Sequence, residues 1–112
     1  MGGITTHVLD TSLGRPAAGV AVALERSRGG NWEPIGSGKT DADGRLRTLT
    51  GDGAIEAGTY RLTFKTGVYF RTSGRQTFFP EVTILFDVPE GGQHLHVPLL
   101  LSPFGYSTYR GS

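Results

Sequence analysis

Larger apolar residues return at every second position in several short stretches of this chain, and clusters of turn-forming residues separate those stretches. Val20, Val22 and Leu24 alternate with Ala21, Ala23 and Glu25, and Tyr60, Leu62 and Phe64 alternate with Arg61 and Thr63. A period of two belongs to a β-strand with one face on a core. The pattern predicts strands over 4–10, 20–25, 32–40, 45–49, 60–64, 81–88, 94–101 and 106–109. Between them lie Gly14 to Pro16, Gly29-Gly30, Asp41-Ala42-Asp43-Gly44 and Ser102-Pro103-Phe104-Gly105, all residues that favour turns. Only 67–73 has room for a short helix. Short strands recurring about every 10 to 20 residues predict an all-β sandwich or barrel.

The same periodicity sorts the ionisable residues onto faces. On the first strand Thr6 and Val8 share one face while Thr5, His7 and Leu9 share the other. On the late strand Leu95, Val97, Leu99 and Leu101 point at the core, leaving His94, His96 and Pro98 opposite. Both histidine-bearing strands therefore turn their histidines away from the core. Leu9 and Leu100 lie on that outer face too, which predicts an oligomer that covers it.

Composition narrows the function classes. At 112 residues, with 37% hydrophobic and 19% charged residues, the chain has the length of one domain, 1–112, and enough apolar content for a core. Eleven basic residues against ten acidic ones, without a long basic run, imply neither nucleic acid nor a membrane surface as partner. The absence of cysteine removes disulfides and thiolate metal sites and makes a reducing, cytoplasmic setting the expectation.

Motif by motif, most candidate chemistry dissolves. Gly38-Lys39-Thr40 lacks the glycine that a phosphate loop needs five positions earlier, where Glu33 stands. Asp41-Ala42-Asp43-Gly44 resembles the middle of a calcium loop, but its first and twelfth ligand positions are Lys39 and Thr50. His94-x-His96 could hold zinc with His7 as a third ligand, yet no carboxylate is placed to join them, so the expected metal is none. Arg45, just past a turn, reads on its own as a solvated charge or a partner of Asp41 or Asp43.

Two long blocks give those residues another meaning. Thr5-Thr6-His7-Val8-Leu9-Asp10-Thr11 with Gly14-Arg15-Pro16-Ala17, and the final run from His96-Val97-Pro98-Leu99 through Ser102-Pro103-Phe104-Gly105 to Tyr109-Arg110-Gly111-Ser112, closely resemble the 5-hydroxyisourate hydrolases, the transthyretin-related proteins of purine breakdown. The likeness continues through Trp32-Glu33-Pro34 and Ser37-Gly38-Lys39-Thr40. Where the hormone carrier transthyretin has lysine, an acidic residue and threonine, this chain has His7, Arg45 and His96, the hydrolase residues. It also has the terminal Tyr-Arg-Gly-Ser that the carrier lacks. Phe104 stands where many members have tyrosine.

The resemblance implies a transthyretin-like (prealbumin) β-sandwich of two four-stranded sheets with one short helix. It further implies a homotetramer, a dimer of dimers formed through edge strands, enclosing a channel lined by the outer face named above. The implied substrate is a purine-derived small molecule and no cofactor is needed. His7 and His96 would move the protons of an acyl carbon–nitrogen hydrolysis, since imidazole titrates near neutrality. Arg45 would hold ring carbonyls and the developing oxyanion. Tyr109, Arg110 and Gly111 would bind substrate at the pocket floor, with Ser112 orienting water or substrate. The competing expectation is a transthyretin-like small-molecule binding protein without catalysis.

Overall fold

The computed structural model describes residues 3–51, 55–91 and 94–111. Along the chain run β1 (Ile4–Asp10), β2 (Arg15–Pro16), β3 (Ala21–Arg28), β4 (Asn31–Lys39), β5 (Arg45–Leu46), β6 (Gly58–Phe64), α1 (Thr66–Thr72), β7 (Val82–Val88), β8 (Leu95–Ser102) and β9 (Gly105–Thr108). One sheet has the order β2-β1-β8-β9 with β5 also paired to β1, and the other has the order β4-β3-β6-β7. The first sheet is thus five-stranded, not the four-stranded one the resemblance implies, because the two-residue strands β2 and β5 both add to β1. Helix α1 starts one residue before the predicted stretch.

The core lies between the sheets, and alternation builds it. Ile4, Val8, Val22, Leu24, Leu62, Phe64, Leu99 and Leu101 are all essentially buried. Each such side chain contributes about 1.5–3 kcal/mol on burial. Facing positions such as Thr5, His7, Ala21 and Ala23 stay half-buried, as the period of two requires. Strand β5 ends at Leu46 and does not reach Leu49. Leu46 and Leu49 are both buried, and two residues three apart cannot face the same side of an extended strand.

Strand β1 pairs in parallel with β8 along its whole length, Ile4 with Leu95 through Asp10 with Leu101. A parallel neighbour so far along the chain holds the two histidine strands in one fixed register. Pro98 departs from its expected outward position by being buried. It lies opposite His7 on β1, and its carbonyl accepts the Thr108 hydroxyl of β9 at 2.7 Å, so neighbours on both sides cover it. Leu9 and Leu100 are half-buried in the same way, beside Pro16 and Ser107 respectively.

A second cluster pins β1 at its other end. Asp10 is fully buried and accepts from Tyr69 and Arg75, each at 2.7 Å, and from the Ser12 hydroxyl at 2.6 Å. Burial would raise its carboxyl, but the hydrogen bonds of Arg75, Ser12 and Tyr69 and the charge of Arg75 outweigh it and hold the pKa at about 2. Arg75 also lies over the Phe70 ring at 4.9 Å. The carboxylate therefore ties β1 to the helix and the loop behind it. No helix among the described residues is long and apolar enough to cross a membrane.

Candidate functional site

Three neighbouring strands of the first sheet, β5, β1 and β8, carry the candidate residues on one face. Arg45 is the register partner of His7 across β5 and β1, Thr5 is the partner of His96 across β1 and β8, and Thr5 and His7 point the same way because they are two apart. His7 and Arg45 are therefore direct neighbours, and His96 stands on the same face diagonally across from His7, whose own partner on β8 is Pro98.

The turn ahead of β5 makes this possible. Asp41 accepts through Oδ1 the backbone N–H of Asp43 at 2.9 Å and of Arg45 at 3.0 Å, and Gly44 takes φ +76°. A Cβ at Gly44 would stand 2.4 Å from the Val8 carbonyl oxygen, so only glycine lets the turn lie against β1. Asp41 thus meets the backbone of Arg45. Among the described residues the Arg45 guanidinium has no carboxylate partner. The backbone carbonyl of Asp43 accepts a hydrogen bond from His7 Nε2 at 2.9 Å.

His96 is held through its ring on one side and through its backbone on the other. Its Nδ1 lies 2.7 Å from the Thr5 hydroxyl oxygen, and the same oxygen is 3.3 Å from His94 Nε2. The Gly111 N–H donates to the His96 backbone carbonyl at 2.8 Å, and a Cβ at Gly111 would come within 2.7 Å of His96 Cδ2. Glycine is needed there for the tail to lie against the ring. Burial, then the neighbouring charges of His7, Arg45 and His94, push the His96 pKa below its ordinary value.

Two clefts meet at His96. One of about 220 Å³ is lined by Thr5, Thr6, Arg45, Arg47, His94 and His96. The other, of about 240 Å³, has Phe86, Asp87, Tyr109 and Arg110 along its wall with His96. Tyr109 and Arg110 are exposed. Ser112 lies outside the described residues. Sequence reasoning passed over Thr5 and Arg47, although each stands two positions from a residue it chose. Among the described residues no three His, Asp or Glu side chains form a group able to hold a metal ion.

The model of the HIUase/Transthyretin family matches residues 4–111. The chain belongs to that family. Within it, a 5-hydroxyisourate hydrolase of Caulobacter vibrioides is 47% identical over 116 residues, covering all of both chains. The solved structure of Klebsiella pneumoniae 5-hydroxyisourate hydrolase superposes with a TM-score of 0.88 at 41% identity, covering all of both chains. Sea bream transthyretin in complex with thyroxine superposes with a TM-score of 0.91 at 35% identity, over 97% of this chain and 94% of that one. Hydrolase and carrier thus share the backbone, and side chains must tell them apart.

Proposed function

We infer that the chain hydrolyses 5-hydroxyisourate, opening its six-membered ring to 2-oxo-4-hydroxy-4-carboxy-5-ureidoimidazoline in urate breakdown. What carries this reading is the juxtaposition of His7, Arg45 and His96 on adjacent strands of one face, in a chain matched over its full length by a named 5-hydroxyisourate hydrolase. The reaction breaks an acyl carbon–nitrogen bond with water. One imidazole takes a proton from water and the other gives one to the departing ring nitrogen, work typically worth about 10² to 10⁴ in rate. Arg45, with no carboxylate partner among the described residues, is available to donate to the carbonyl oxygen as it becomes negative.

The proposed site continues into the tail. Tyr109 and Arg110 wall the second cleft, Gly111 closes the edge of His96, and Ser112 is assigned to the orientation of water or substrate on the resemblance alone. The reaction needs no metal or organic cofactor, since imidazoles and a guanidinium supply both proton transfer and charge stabilisation. One domain over 1–112 and a cytoplasmic setting belong to the same reading.

A homotetramer completes it. Strands β9 and β7 each end a sheet, and an uncovered edge is a template for pairing with another copy. Exposed Leu85 on β7, Tyr106 on β9 and Tyr109 just beyond it are the side chains such an assembly would cover.

The alternative is a transthyretin-like binding protein without catalysis, favoured by the thyroxine-bound sea bream neighbour. A neutral hydrophobic ligand has no use for two histidines and two arginines around one cleft. Following the ultraviolet decay of 5-hydroxyisourate with and without the protein separates the two. Acceleration supports the hydrolase, and a decay rate unchanged by stoichiometric protein would leave only the binding reading.

A further inference from the structure

The proposed hydrolysis uses Arg45 and leaves Arg47 without a role, although both line the cleft that opens at His96. Arg47 follows Arg45 by two positions, with Leu46 buried between them, so the two arginines leave the core on the same side. Arg45 is half-buried and Arg47 exposed, which makes Arg45 the deeper and Arg47 the outer of the pair.

The charge of this cleft is one-sided. Arg45, Arg47, His94 and His96 are basic, Thr5 and Thr6 supply hydroxyls, and no lining residue is acidic. Asp41, in the turn ahead of β5, accepts the backbone N–H groups of Asp43 and Arg45 through Oδ1. Among the described residues neither Arg45 nor Arg47 forms an ion pair. Like charges gathered without a counter-charge repel one another, and an anionic ligand relieves that repulsion with charge-assisted hydrogen bonds from the guanidinium groups. The second cleft lacks this bias, because Asp87 lines it together with Arg110.

We propose that Arg47 is a further substrate-binding residue, the outer of two guanidinium groups through which the cleft selects a planar purine-derived ring as its anion. This deepens the hydrolase reading and rests on it for the ring system, whereas selection of an anion is a property of the cleft alone. The chemistry of the reaction agrees. Water added across an acyl carbon–nitrogen bond leaves a carboxylic acid, which ionises at neutral pH. The ligand therefore gains negative charge during turnover, and a pair of guanidinium groups stays matched to it from start to end. Arg45 meets the reacting carbonyl, and Arg47, two residues further along, meets the charge on the rest of the ring system.

The experiment is calorimetric binding of two stable probes to the whole protein, beside steady-state kinetics with 5-hydroxyisourate. The probes are urate, a monoanion at neutral pH, and xanthine, a ring of the same shape that is mostly neutral there. The proteins are wild type, Arg47→Gln, Arg47→Lys and Arg71→Gln, the last removing one exposed positive charge from α1, outside both clefts. Wild type is expected to bind urate about fivefold or more tighter than xanthine, a preference that shrinks as salt rises. Arg47→Gln weakens urate and raises KM by about fivefold or more, with kcat within about twofold and xanthine unchanged. Arg47→Lys recovers part of that loss, and Arg71→Gln behaves as wild type. A folded Arg47→Gln protein with wild-type urate affinity and KM, or an Arg71→Gln protein with the same loss, overturns the assignment of Arg47. Wild type without a preference for urate overturns the selection of an anion. Wild type that prefers urate yet leaves 5-hydroxyisourate decay unchanged sinks the hydrolase reading while the binding role of Arg47 stands, so the two failures are distinct.

Discussion

Asp10 is a buried charge whose function is mechanical. Its carboxyl sits at about 2 against the ordinary 3.8, so the folded state binds its proton less readily than the unfolded chain does. The sign follows directly: the stabilisation is complete above the unfolded pKa and is lost as pH falls toward the folded one. A shift of this size corresponds to about 2 kcal/mol. We expect wild-type stability in urea to decline between about pH 5 and pH 2, with Asp10→Asn less stable at neutral pH and flatter across that window. Parallel pH profiles for the two proteins would show that the Arg75–Tyr69 cluster does not stabilise the fold. This residue was legible in principle. It lies two positions beyond Val8 on the core face, and a carboxylate there demands a partner, but Arg75 and Tyr69 are about sixty residues away and no local pattern announces them.

At the scale of elements, β1, β3, β6 and β8 were readable because each keeps a period of two over most of its length, whereas the short helix was placed only by the room left between strands. Strands β2 and β5 were not resolved as they stand, since two residues carry no periodicity and their existence depends on β1 beside them. The site was legible to the extent that period two placed His7 and His96 on outward faces. Their adjacency was not, because the parallel pairing of β1 with β8 joins segments separated by most of the chain. The tail is the element whose role is most open to test. Termini of small domains commonly fray, and trimming one should then leave activity alone. Here Gly111 is bonded to the His96 carbonyl at 2.8 Å, and a misplacement of about 1 Å at a reacting group can cost about a hundredfold. Deleting 109–112 is expected to lower kcat/KM by about that factor while the protein stays folded. A truncated protein with near-normal turnover would remove Tyr109, Arg110, Gly111 and Ser112 from the site.

The whole molecule presents its site on an open sheet face, where bulk water would compete with every hydrogen bond to substrate. A dimer of dimers that covers this face would strengthen those bonds by excluding solvent. Sedimentation at micromolar concentration is expected to give a tetramer, and a fully active monomer would contradict the proposed assembly. Hydrolase and carrier superpose on this backbone almost equally well, so the central claim concerns three side chains and not the fold. It is tested most directly by the rate of 5-hydroxyisourate decay in the ultraviolet with wild-type protein, His7→Ala and His96→Ala, each verified as folded. The account predicts acceleration by the wild type and a loss of about 10² or more in each variant; variants that turn over substrate at the wild-type rate would contradict it.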